Sequence, residues 1–185
     1  IIQWTKLYGD DGFNFGNDIK ISDDNLIYIN AGIGEVGRKD EFIFLGEGVK
    51  IILGDDGYIY SAGSKQSPNY HSNGDQGDAT FSKISRKGNT EWTKTIVSNK
   101  QDSAYGLSQG LDGDIYVVGR TDGDLDEHTN SGFRDGFITK FKKDGTKEWT
   151  KLVAGNPTVT EISKYIGTEI TPYATTSIRS ISTGI

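Results

Sequence analysis

The chain has 185 residues, a formal net charge of −6 and no cysteine. The acidic balance excludes the basic surfaces that bind nucleic acid or anionic membranes, and no apolar run reaches the roughly 18 residues of a membrane span. The absence of thiols excludes disulfides, thiolate metal sites and a cysteine nucleophile. With 25 glycines and only 3 prolines, the composition favours many tight turns between short strands.

Three hairpins of one kind are predicted in chain order, at residues 19–32, 49–63 and 104–119. Each turn carries Asp followed by Gly or Asn, which accept the positive φ of tight hairpin turns. Each return strand opens with Ile-Tyr and alternates as a half-buried strand does. We expect the tyrosines, which point away from the isoleucines, to pack between neighbouring sheets: Tyr28, Tyr60 and Tyr116.

A second kind of hairpin follows the first, at residues 78–94 and 135–152. Trp92 and Trp149 hold the same position in its return strand, 57 residues apart, and the surrounding chain repeats without a gap. A fixed period of this length is typical of repeat architectures. Two hairpins per repeat supply four antiparallel strands, which is the content of one propeller blade. We therefore predict an all-β chain of consecutive four-stranded antiparallel blades, with Trp4, Trp92 and Trp149 packed between blades in equivalent buried positions.

Residues 1–153 are assigned to about three such blades, and 154–185 to a Thr/Ser-rich tail. The first blade is irregular: Ile27 to Ile59 is 32 residues, whereas Ile59 to Ile115 is 56. Either this blade is shortened, or residues are missing between about 44 and 49. Since propellers close with 4 to 8 blades, the chain either continues in further repeats or assembles with copies of itself. The tail is a strand, an edge cover or a linker.

The repeat at residues 78–152, with Leu-Asp-Gly-Asp-Ile-Tyr-Val-Val-Gly at 111–119, resembles the SBBP-type bacterial β-propeller repeat. The resemblance covers roughly residues 1–153 and is tight from about 78 to 152. It implies a non-catalytic binding or scaffold module of a secreted or cell-surface bacterial protein. The expected partner is a protein or a glycan, and neither nucleic acid nor membrane insertion is expected.

Asp122, Asp124 and Asp126 form the candidate metal site of the chain. Carboxylates at alternate positions of a turn are typical of the first half of an oxygen-ligand calcium loop. Glu127 occupies the sixth position, where such loops usually have glycine. Calcium is thus the predicted cofactor, and the competing interpretation is an inter-strand loop stabilised by Asx turns.

Other candidate groups point less directly to chemistry. His71 and His128 occupy corresponding loops and are interpreted as exposed polar residues rather than metal ligands. The glycines at 32–37 match a dinucleotide fingerprint, but a strand rather than a helix is predicted after them, so that function is rejected. The alternative to a binding module is a hydrolase or lyase acting on glycans, and it would use one of two carboxylate pairs: Asp75 with Asp78, or Asp124 with Asp126.

Overall fold

A computed structural model describes residues 16–31, 37–39, 42–44, 50–65 and 77–153. These ranges form β-strands and contain no helix, so they include none long enough to cross a membrane. The strands are β1 (Gly16–Ile21), β2 (Ile27–Ala31), β3 (Gly37–Lys39), β4 (Phe42–Phe44), β5 (Lys50–Leu53), β6 (Ile59–Lys65), β7 (Asp78–Ile84), β8 (Thr90–Ile96), β9 (Asp102–Gln109), β10 (Ile115–Thr121), β11 (Asp135–Phe141) and β12 (Lys147–Val153). The all-β prediction is confirmed for the described residues.

Two of the three sheets have the predicted four-stranded antiparallel arrangement. The second sheet follows the order β5-β6-β7-β8, and the third contains β9, β10, β11 and β12 in the same succession. Lys83 pairs with Trp92 in the second sheet and Lys140 pairs with Trp149 in the third, each beside a register shift. The repeat in the sequence is therefore a repeat in strand register.

The first sheet departs from this arrangement. Its β1 and β2 form an antiparallel pair, but β4 runs parallel to β2 and pairs on its other side with β3. No Gly-x-x-x-Trp return strand follows Phe44 in the sequence, so the partner that completes the other two sheets is missing at this point. The tail, the stretch 45–49 and Trp4 lie outside the described residues.

The hairpin turns confirm the role expected of their glycines. Positive φ occurs at Asn25, Gly57, Gly88, Gly113 and Gly145. In each turn this residue donates its N–H to the carbonyl three residues earlier, as Gly57 does to Gly54 at 3.0 Å. The N–H of Gly54 in turn donates to Tyr58 O at 2.8 Å. This is the three-residue hairpin loop, in which one left-handed residue follows a type I turn.

Apolar side chains fill the two junctions between the sheets. Tyr28 of the first sheet packs with Ile51, Ile59 and Ile84 of the second. A larger cluster joins the second and third sheets, and its buried members are Tyr60, Ala62, Ala79, Phe81, Ile96, Ala104, Leu107, Ile115, Val117, Leu125, Phe137 and Phe141. Tyr28, Tyr60 and Tyr116 are all buried, which confirms that these tyrosines are packed rather than exposed.

A contact with a turn carbonyl recurs at both junctions. The Tyr28 hydroxyl lies 3.4 Å from Arg86 O of the second sheet. The Tyr60 hydroxyl donates to Asp56 of its own hairpin at 2.8 Å and lies 3.4 Å from Lys143 O of the third sheet. Arg86 and Lys143 are 57 residues apart and hold the same turn position. Lys83 Nζ adds a second bond to Lys143 O at 3.1 Å. The carbonyl oxygens of this contact thus repeat with the period of the sequence, whereas Tyr28 and Tyr60 are 32 residues apart because the first sheet is shortened.

The tryptophans only partly match the expectation of equivalent buried sites. Both are half-buried. Trp92 has an edge contact with Phe81, with 5.2 Å between the ring centroids. It also borders a turn of the third sheet, since a Cβ added at Gly145 would lie 3.2 Å from the Trp92 ring. Trp149 has an edge contact with Tyr116 at 6.0 Å. The two tryptophans share the same strand register, but their surroundings differ. The third sheet packs against the face of the second sheet on which Trp92 lies.

Candidate functional site

The loop between β10 and β11, residues 122–134, is called the rim loop. The first residue of the rim loop is hydrogen-bonded to the β8–β9 loop, since Asp122 N–H donates to Gln101 O at 2.8 Å. Thr121 donates its hydroxyl to Gly123 O at 2.9 Å and accepts Gly123 N–H at 3.1 Å. Gly123 is held so closely that a Cβ there would lie 2.4 Å from the Asn99 side-chain oxygen. The rim loop is therefore bound to the β8–β9 loop along its first residues.

The three aspartates of the predicted calcium loop each have a different protein partner. Asp122 forms an ion pair with Arg134 at 3.3 Å, and Asp124 accepts the backbone N–H of Asn130 at 2.8 Å. Asp126, at φ 53°, forms an ion pair with Lys147 of β12.

Among the described residues, no three side chains of His, Asp or Glu are grouped as metal ligands. The internal partners fit the Asx-turn interpretation, because a cation would have to compete with them for each carboxylate. Calcium binding at Asp122, Asp124 and Asp126 stays a prediction that only a titration can decide.

The ion pair at Asp126 also affects its proton affinity. Burial raises the pKa of this carboxyl, but hydrogen bonds from Lys147 and Thr150 outweigh burial, and the net pKa is lowered. A general acid needs the opposite shift. In the pair predicted for a glycan-active enzyme, Asp124 is thus engaged with Asn130 of the rim loop and Asp126 with Lys147 of β12. Asp75 of the other pair lies outside the described residues.

His128 is a structural contact of the rim loop. Its Nε2 lies 2.9 Å from Thr150 O of β12, and its backbone forms two 3.0 Å hydrogen bonds with Leu125. Leu125 is fully buried in the cluster between the second and third sheets. The rim loop is thereby anchored to the core and to the outermost strand. His71 of the corresponding earlier loop lies outside the described residues.

Two buried aspartates organise the loops that precede β9 and β11. Asp102 accepts the N–H of Ser98 at 2.6 Å, and Asp135 accepts the N–H of Ser131 at 2.7 Å. Burial raises the pKa of Asp102, and the hydrogen bonds from Thr121 and Ser98 only partly offset it. The serine four residues before each aspartate is the sequence signal that could have identified this pair.

One aromatic side chain of the rim loop faces water. Phe133 is 79% exposed, and the Arg134 guanidinium lies over its ring at 5.0 Å. Arg134 is oriented by its ion pair with Asp122. The surrounding residues are tied down, because Asn130 donates its side-chain N–H to Thr121 O at 3.2 Å and accepts Gly132 N–H at 3.0 Å. The loop therefore presents an apolar ring and a cation together from a fixed backbone.

No known protein family matches this sequence, and no curated protein is significantly similar to it. The SBBP-type repeat remains a resemblance carried by the residues of the repeat itself.

Proposed function

We propose that this chain is a non-catalytic binding or scaffold module made of propeller-type blades, from a secreted or cell-surface bacterial protein. The blade assignment is supported by the two sheets of identical strand order and by the tyrosine-to-carbonyl contact that recurs with the repeat. The secreted, bacterial setting rests on the resemblance to SBBP-type repeats.

The observation that carries the binding role is the Phe133–Arg134 pair. An exposed aromatic ring on a monomer surface is a candidate contact for the apolar face of a ligand, and aromatic and arginine side chains dominate binding energy at interfaces. The fixed loop backbone lowers the ordering cost of binding. A neutral polysaccharide fits this pair best, since a sugar ring offers an apolar face to Phe133 and hydroxyl acceptors to Arg134.

Affinity electrophoresis of the full chain through gels containing neutral polysaccharides tests this proposal. We expect retardation by at least one neutral glucan, xylan or galactan, and we expect Phe133→Ala to weaken binding by about 10-fold or more, as loss of an interface anchor does. Leu111→Ala is the matched control, because Leu111 is also exposed but lies in the β9–β10 turn. Unretarded migration in every gel, or equal binding by the two variants, would refute the assignment of the site.

A separate assay addresses catalysis. The same polysaccharides are incubated with the full chain and with Asp124→Asn, and new reducing ends are measured. We expect no release by either protein. Release that is abolished in Asp124→Asn would replace the binding module with the glycan-active enzyme.

A further inference from the structure

The second sheet binds a turn of the third sheet through a set of four side chains, called the docking corner. Its members are Tyr60, Asp56, Lys83 and Trp92. Asp56 accepts hydrogen bonds from Tyr60 and from Lys83, both at 2.8 Å. Lys83 also donates to Lys143 O of the β11–β12 turn at 3.1 Å, and Trp92 borders Gly145 of the same turn. The docking corner therefore contacts the main chain of the turn on one side and its glycine on the other.

The third sheet carries an equivalent docking corner. Its members are Tyr116, Asp112, Lys140 and Trp149. The Tyr116 hydroxyl donates to Asp112 at 2.9 Å, and Lys140 lies 3.0 Å from the same carboxylate. The ring centroids of Tyr116 and Trp149 are 6.0 Å apart, against 6.3 Å for Tyr60 and Trp92. Within the ranges that the structure describes, no turn carbonyl is bonded to Tyr116 or Lys140.

The docking corner of the third sheet carries an excess of negative charge. Three carboxylates lie within 3.0 Å of the Lys140 ammonium: Asp112, Asp114 and Glu148. Glu148 has a second partner in Lys142 at 3.4 Å. Lys140 can therefore exchange Glu148 for a turn carbonyl, as its counterpart in the second sheet bonds one. The remaining carboxylates favour a turn that is basic.

The two basic turns of the chain show how such a cation is bound. In the β7–β8 turn, Arg86 pairs with Asp24 of the first sheet at 3.5 Å. In the β11–β12 turn, Lys143 holds the position of Arg86 and pairs with Asp55 of the second sheet at 2.6 Å. Asp24 and Asp55 occupy neighbouring positions of the hairpin turn rather than equivalent ones. Arginine and lysine at one turn position therefore pair with different positions of the preceding sheet.

We infer that the docking corner of the third sheet binds a β-hairpin of a separate polypeptide, whose turn carries arginine at the position of Arg86 and glycine two residues later. Asp112 is equivalent to Asp24, so this arginine has a carboxylate to pair with. Leu111 is equivalent to Asp55, so a lysine lacks the carboxylate that it uses in the second sheet. The docking corner thus prefers an arginine turn to a lysine turn.

The existing junction also explains the glycine and the choice of a separate polypeptide. Gly145 has a φ of 85°, and a Cβ there would lie 3.2 Å from the Trp92 ring, so a side chain at this position would be strained and crowded. A second copy of the chain is a poorer source of the hairpin. Its Arg86 and Lys143 are already paired with its own sheets.

A fluorine NMR titration of the full chain tests this inference. The probe is a synthetic peptide of residues 78–96, which contains the Arg86 turn, closed by a disulfide between added terminal cysteines. The chain is labelled with 5-fluorotryptophan, and Trp149→Phe assigns the Trp149 signal. We expect a saturable shift of this signal, and Arg86→Glu in the peptide should weaken binding by about 10-fold or more, because it places like charges together. An unshifted Trp149 signal, or equal binding of the two peptides, would overturn the inference.

A substitution in the chain tests the preference for arginine. Leu111→Asp restores the carboxylate that Lys143 uses in the second sheet. A peptide of residues 135–153, closed in the same way, should therefore bind this variant about 2- to 5-fold more tightly than it binds Leu111→Asn, the uncharged control. Equal affinities would refute the preference. A Trp149 signal that shifts with the concentration of the chain alone would make a second copy the occupant and would overturn the inference as well.

Discussion

The second and third sheets place equivalent lysines at the same register, and these lysines share only one of their partners. Lys83 donates to Asp56 at 2.8 Å and to the carbonyl of Lys143 in the next sheet. Its counterpart Lys140 keeps the equivalent contact, with Asp112, and adds Asp114 and Glu148 of its own sheet, all within 3.0 Å. Hydrogen bonds to these carboxylates raise the pKa of Lys140. The repeat conserves the lysine–aspartate contact, whereas the further partners differ: Lys83 reaches a carbonyl of the next sheet, and Asp114 beside Lys140 stands where the second sheet has Tyr58.

The largest contrast is expected between the two tryptophans. Trp92→Ala removes a ring that contacts Phe81 and the turn at Gly145, and it should lower the free energy of unfolding by about 2–4 kcal/mol. Trp149→Ala removes a contact with Tyr116 and should cost roughly half as much. Urea unfolding followed by circular dichroism measures both values. Equal losses would mean that the third sheet contributes little to the burial of Trp92.

A smaller, pH-dependent effect is expected where the second and third sheets meet at Asp102, whose N–H donates to Gly77 O at 2.8 Å. Burial raises the pKa of Asp102, so its contribution to stability is full below the usual carboxyl pKa and is lost as pH rises through the folded-state pKa. The stability advantage of the native chain over Asp102→Asn should therefore be greater at about pH 4 than at about pH 7.

Glu148→Gln is the control for that measurement, because the pKa of Glu148 is shifted in the opposite direction to that of Asp102. The hydrogen bond from Lys140 lowers the pKa of Glu148, so its contribution is present above the usual carboxyl pKa and is lost as pH falls. Urea unfolding at the two pH values should thus give opposite trends for the two variants. The assignment of Asp102 fails if its variant shows no pH dependence or follows Glu148→Gln.

The smallest effect concerns two equivalent isoleucines of β1 and β5. Ile51 is 0% exposed between the first and second sheets, whereas Ile19 is 55% exposed. Ile51→Val should cost about 1 kcal/mol of unfolding free energy. Ile19→Val should change it by less than about 0.5 kcal/mol, as surface substitutions usually do. Thermal unfolding of the two variants is sufficient, and a comparable loss in Ile19→Val would show that β1 has a covering layer in solution.

Much of the fold could be predicted because it is local. Strand alternation and the glycine or asparagine of each turn fix a hairpin within about fifteen residues, and the repeat then fixes the register of Trp92 and Trp149. The parallel pairing of β4 with β2 could not be predicted, since the return strand that follows the equivalent strand in the other two sheets is missing from the sequence after Phe44. The contact of Lys140 with Asp112 repeats that of Lys83 with Asp56, whereas the bond from Lys83 to the Lys143 carbonyl depends on which sheet lies beside it, and sequence periodicity contains no information on that contact.

The candidate site was less predictable than the fold. The alternating aspartates predicted a cation, whereas the structure gives Asp122, Asp124 and Asp126 separate protein partners. Phe133 belongs to no periodic pattern, and a lone phenylalanine in a loop cannot be distinguished from a buried one without the neighbours that surround it. Only the serine-to-aspartate spacing before β9 and β11 could have been read from the sequence.

The contact between sheets has a consequence for how such chains change over generations. The group that Tyr28 and Tyr60 each meet in the neighbouring sheet is a main-chain oxygen at 3.4 Å, which every amino acid supplies, and the residues that provide it already differ as Arg86 and Lys143. Mutation of this turn position therefore leaves the contact available as long as the turn keeps its shape. Duplicated units can diverge in sequence at this position and still stack on one another, so selection on their contact falls on the tyrosine and on the glycine of the turn.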